Sequence, residues 1–104
     1  MKKISKNTSK IGVLKLIVYM ETKEGISEAE KQVLAKTNFY LGNYHLNNKN
    51  YDEAIKCYEK SIELSPDFVL ASYYFLAIIY GKIGDKSREL EYKNKVNELG
   101  YHVP

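Results

Sequence analysis

The stretch FYLGNYHLNNKNYDEAI, residues 39–55, returns 35 residues later as YFLAIIYGKIGDKSREL, residues 74–90. Leu41 aligns with Leu76, Gly42 with Ala77, His45 with Tyr80, Asn50 with Asp85 and Ile55 with Leu90. A fixed period of this length marks stacked supersecondary units. Each unit cannot bury its apolar face alone, and neighbouring copies bury it together. No other feature of the chain limits its fold as strongly.

Each copy reads as helix, turn, helix. Ser27 is followed three residues later by Glu30, the spacing of a capping box that opens a helix. Apolar residues then recur at Val33, Leu34, Thr37, Tyr40, Leu41, Tyr44 and His45, the rhythm of a helical face. The helix is expected to fail near NNKN. Asn50 should cap the next one, with Glu53 as its partner. Ala54, Ile55, Tyr58, Ser61 and Ile62 give that second helix a single stripe. Pro66 ends it and pushes Ser65 out of helical geometry. A third helix over about 67–82 is apolar nearly all round, and Gly84-Asp85 marks a turn. A more polar fourth helix follows over about 86–99, carrying Leu90, Tyr92, Val96 and Leu99, with Gly100 at its end. With 2 prolines and 6 glycines in 104 residues, long regular elements are favoured over a turn-rich β-fold.

These copies resemble the tetratricopeptide repeat. That family places a Leu-Gly pair and an aromatic on its first helix. Its second helix carries small, aromatic and small residues, and a proline closes the unit. Here the matching places hold Leu41, Gly42, His45, Ala54, Tyr58, Ser61 and Pro66. The physical reading is that Gly42, Ala54 and Ser61 are small where two helices approach closely. Tyr58 then fills the space between one pair and the next. The second copy keeps Tyr73, Leu76, Ala77, Tyr80 and Gly84, but departs at Glu89 and Lys93. Its period implies one extra residue, expected near Ser72. Its last helix reads as a water-facing cap. The resemblance implies an all-α fold of antiparallel helix-turn-helix repeats stacked as a short right-handed α-solenoid. One domain, 10–104, would hold repeats at about 35–68 and 69–102, behind a flexible basic arm, 1–9.

Charge is uneven along the chain. Residues 1–20 hold five lysines and no acid, whereas the remainder carries eleven basic and thirteen acidic residues. The apolar run Ile11, Val13, Leu14, Leu16, Ile17, Val18 and Tyr19 follows those lysines as a secretory signal would. Lys15 interrupts it, no small-x-small cleavage pattern follows, and it falls far short of the roughly 20 residues that span a bilayer. We read residues 11–20 as a helix packed on the first repeat. An interfacial or partner-binding helix and a targeting segment are the alternatives. One cysteine, Cys57, precludes an internal disulfide and fits a reducing, cytoplasmic setting.

The sequence offers little chemistry. GKIGDKS, residues 81–87, lacks the spacing of a phosphate-binding loop and follows a helix where that mechanism needs a strand. His45 and His102 lie far apart, and Cys57 sits mid-helix with no base beside it. Neither catalysis nor a cofactor or metal is expected. Binding remains. The resemblance implies a concave face lined by Lys36, Phe39, Asn43, Leu46 and Asn47 from the first copy. From the second it implies Tyr74, Ile78, Gly81 and Lys82. One subclass of the family grips a C-terminal carboxylate. Asn43 fits that pattern, but Phe39 and Phe75 stand where lysine and asparagine belong. A protein or peptide partner with an apolar face, such as an amphipathic helix, is the expectation, with self-association as a further use of the surface. The alternatives are a chaperone-like holder of secretion substrates and a membrane-linked adaptor. The latter follows from a likeness of residues 12–25 and 39–66 to the mitochondrial fission adaptor. That family ends in a membrane-spanning tail where this chain has GYHVP, so the likeness is read as that of a shared repeat and a membrane partner is not expected. No aromatic platform accompanies the N-terminal lysines, which disfavours nucleic acid.

Overall fold

Two signals set the first helix. Ser27 and Glu30 close a reciprocal capping box: the Ser27 hydroxyl accepts from the Glu30 amide at 3.1 Å, and the Glu30 carboxylate accepts from the Ser27 amide at 3.0 Å. The helix runs to Asn47. A computed structural model describes residues 25–100. The expectations for the arm at 1–9, the helix at 11–20 and the residues after 100 lie outside the described residues. Within them the order is α1 (Glu28–Asn47), α2 (Tyr51–Leu64), a 3-10 turn (Pro66–Phe68), α3 (Val69–Lys82) and α4 (Lys86–Glu98). No strand occurs among the described residues. The starts of α2 and α4, and the ends of α1 and α3, are each 35 residues apart, so the sequence period is a structural one. Helix pairs in register make this a short helical-repeat solenoid.

Close approach of α1 and α2 follows from small side chains. A β-carbon on Gly42 would lie 2.8 Å from the Tyr58 ring, so only glycine leaves space there. Ser61 is fully buried and its hydroxyl donates to the Ala35 carbonyl at 2.9 Å, a bond that joins the two helices. Asn38 is also buried, and its amide donates back to the Leu34 carbonyl at 3.0 Å. That bond satisfies a polar group that would otherwise be costly to bury. Ser65 ends α2 in extended geometry, at φ −158° and ψ 136°. Its hydroxyl accepts from the Asp67 amide and donates to the Gln32 side chain.

Between the pairs lies the main core of Ala54, Tyr58, Leu76, Ile79 and Tyr80. The Tyr58 ring stacks on Phe75 of α3, centroids 5.6 Å apart and planes at 11°. Tyr58 does fill the space between one pair and the next. Each fully buried side chain of this kind contributes about 1.5–3 kcal/mol. In the second pair Tyr80 stacks on Tyr92 of α4 at 5.7 Å. A second cluster, Leu34, Leu41 and Cys57, lies within the first pair.

Two local expectations need correction. The buried face of α1 is Leu34, Ala35, Asn38, Leu41 and Gly42, not a stripe through Val33 and Tyr40, which stand 47% and 57% exposed. Leu34 and Leu41 of the expected stripe are inside, and the small or polar Ala35, Asn38 and Gly42 join them because α2 lies so near. Asn50 precedes α2 but makes no side-chain capping bond; its amide instead lies 3.5 Å from the His45 ring nitrogen Nδ1. Its counterpart Asp85 does cap, accepting from the Arg88 amide at 3.0 Å. Near Ser72, where the extra residue of the period is expected, α3 is continuous, and the Pro66–Phe68 3-10 turn precedes it.

Candidate partner-binding face

The residues expected to line a concave face fall on α1 and α3. Lys36 and Asn47 are exposed on α1, and Lys82 is exposed on α3. Tyr74 is 45% exposed. Phe39, Asn43, Leu46, Ile78 and Gly81 are half-buried. Phe39 and Tyr74 are joined through Phe75, whose ring lies 5.9 Å from the first and 5.6 Å from the second. Phe39 also meets Tyr58 at 5.7 Å and Phe68 at 5.4 Å. It is therefore the hub of an aromatic seam between the repeats as much as a surface contact. Leu46 packs against the main core. The Asn43 side-chain oxygen accepts from the Tyr58 hydroxyl, which fixes the amide on the face.

The sequence did not single out Phe68 or the Asn43–Tyr58 bond. Phe68 is expected from the sequence only as the start of a helix over about 67–82; it lies instead in the 3-10 turn before α3, and its contact with Phe39 depends on the packing of the two pairs. The bond needs α1 and α2 set side by side, which no local pattern encodes.

Burial alters ionisation beneath this face. Burial, with help from the Glu53 charge, pushes the Cys57 thiol up to about 11, so it stays neutral and unreactive near neutrality. Burial also raises the Tyr58 hydroxyl. No helix among the described residues is long and apolar enough to cross a membrane.

A stack of helix pairs with a half-open aromatic seam, and with its buried groups spent on packing, defines a helical-repeat protein-interaction module. The particular repeat is identified by comparison: residues 35–68 match the tetratricopeptide repeat family, and the chain carries that repeat. Over 72 residues the chain is 38% identical to the mitochondrial import receptor subunit TOM70 of Saccharomyces cerevisiae, strains YJM789 and ATCC 204508 / S288c. That match covers 69% of this chain but only 11% of the relative. No solved structure matches the chain.

Proposed function

We propose that the α1–α3 face binds a segment of a partner protein, with Phe39 and Tyr74 at its apolar centre and Lys36 and Lys82 at its edges. The observation that carries this reading is the exposure of Tyr74 beside the half-buried Phe39–Phe75 seam. An apolar strip of that kind suits the apolar side of an amphipathic helix. The face holds lysines and no acid among these residues, which favours a segment with acidic flanks. Asn43 adds a fixed polar contact for a backbone carbonyl, because its oxygen is held by Tyr58 and its nitrogen is a donor. That one relative is named an import receptor subunit agrees with a role in holding protein segments.

Because Phe39 is part of the packing, the test leaves it in place. The variant Lys36→Glu/Tyr74→Ala/Lys82→Glu should keep its helical circular dichroism and lose cross-links between this face and the partner in the native host. Retention of those cross-links in the triple variant means the partner sits elsewhere.

A further inference from the structure

Val33, Thr37 and Tyr40 form an outward stripe on α1 at helical spacing. The internal repeat says what such a stripe is for. Thirty-five residues on, the equivalent places hold Phe68, Ser72 and Phe75. Those are the residues through which the second pair packs on the first: Ser72 is fully buried, Phe75 stacks on Tyr58, and Phe68 meets Phe39. On α1 the same surface faces outward, with Val33 and Tyr40 about half exposed. By the logic of the repeat it is an interior surface waiting for a layer.

We propose that residues 11–19 of the same chain form that layer, lying antiparallel on the Val33–Thr37–Tyr40 stripe. Three observations converge. The run Ile11, Val13, Leu14, Leu16, Ile17, Val18 and Tyr19 is strongly apolar and immediately precedes the first repeat. Its length fits: nine residues wound as a helix cover about 13 Å, and Val33 to Tyr40 spans about 10 Å. The connection fits too. Residues 20–26 can reach over 20 Å when extended, while Val33 lies about 9 Å along the axis from Ser27. Gly25, at φ 71°, has the left-handed geometry that lets the chain turn back just before α1. Wound as a helix, the segment places Val13 and Ile17 on the side away from Lys15, which leaves the lysine in water.

Hydroxyl-radical footprinting of the full wild-type chain tests this without a variant. Tyr40 and Tyr74 are comparably exposed in the repeats. The expected result is that Tyr40 is labelled severalfold more slowly than Tyr74, independent of protein concentration. Equal labelling overturns the proposal. So does protection that fades on dilution, which would assign the stripe to a second copy. A disulfide trap gives an independent reading, with the unreactive Cys57 left in place. Val13→Cys/Tyr40→Cys should oxidise to an intrachain disulfide at least about tenfold faster than Val13→Cys/Leu90→Cys, given the effective concentration of a docked segment. Equal rates, or cross-linked dimers alone, refute it.

Discussion

Ala54 and Tyr58 on α2 occupy the same places in the repeat as Glu89 and Lys93 on α4, and they live in opposite surroundings. The first two are fully buried, because α3 stacks over them. The second two form an ion pair at 3.3 Å, and Glu89 makes a longer one to Lys86. No further helix pair among the described residues stacks on α4 beyond its partner α3, so charge takes the place of a small residue and an aromatic. The accommodation reaches the partner helix. Glu89 lies over Gly81, where a β-carbon would be 2.8 Å from its carboxylate, whereas the first pair sets Leu46 in the place of Gly81 and Ala54 in that of Glu89. Large and small have exchanged sides. The comparison teaches that a repeat position has no fixed chemistry of its own; it takes the chemistry of whatever lies against it. By that rule the polar α4 has the chemistry of a cap, whereas the stripe on α1 has the chemistry of a packed surface.

The largest test of the contrast is truncation at the two equivalent positions. Tyr58→Ala removes a fully buried ring that stacks on Phe75 and bonds Asn43, and should lower stability by about 3–5 kcal/mol. Lys93→Ala removes one arm of a partly exposed ion pair rather than a buried ring and should change stability by no more than about 1 kcal/mol. Urea denaturation of both variants decides. Similar losses would mean that α4 is packed like α2 and is not a cap.

A smaller effect is expected where the helices of each pair meet. Gly42→Ala should be destabilising by about 1–3 kcal/mol, because the new methyl runs into the Tyr58 ring. Its counterpart is already alanine at 77, and the place equivalent to Tyr58 holds Lys93. The comparison sharpens in a double variant: Gly42→Ala should be much better tolerated when Tyr58 is already Leu. Additive losses in that cycle would separate the two residues.

The sequence reveals the period, the capping box and the break at Pro66, because each is a local pattern with a local cause. The water-facing last helix could also be read, since Glu89 and Lys93 break a stripe that Ala54 and Tyr58 establish. The buried side of α1 could not. Tyrosine and valine count as apolar, yet Tyr40 and Val33 lie outside, while Asn38 lies inside with its amide satisfied one turn back. Which face is inner depends on where α2 approaches, and that is a tertiary fact. The same holds for the candidate binding face. Its residues follow from the repeat, but the aromatic seam that ties Phe39 into the core appears only once α3 is in place.

Raising the pH sets the two pairs against each other more gently. Cys57 and Tyr92 hold equivalent places, and burial pushes their groups up to about 11 and about 12. A group whose folded value is raised stabilises the protein fully below its unfolded value, and that contribution is lost as pH climbs through the folded one. From unfolded values of 9.0 and 10.0, the first pair should begin to weaken above pH 9 and the second above pH 10. Thermal melts should fall across that window, and Cys57→Ala should flatten the lower part of the fall. A flat profile in the wild type would show that neither group is buried as the stack requires.

The smallest expected effect lies in the two turns. Lys49 and Gly84 are equivalent, and both adopt the left-handed region, at φ 61° and 84°. For glycine this geometry is free of steric penalty. A lysine there brings its β-carbon close to the following carbonyl oxygen, at about 1–2 kcal/mol. Lys49 is exposed and neither of its neighbours is buried, so nothing in its side chain offsets that strain. Lys49→Gly should therefore stabilise the protein, but by less than the full penalty. Glycine also frees the unfolded chain, which returns roughly 0.5–1 kcal/mol to the unfolded side. The net gain should be a few tenths of a kcal/mol to about 1 kcal/mol. The reciprocal change, Gly84→Lys, should be destabilising by a similar amount, because it imposes on the second turn the strain that the first already carries. Denaturation midpoints of the two variants test the pair together. If both changes move stability in the same direction, the turns are not equivalent in energy, and the repeat extends only to their shape.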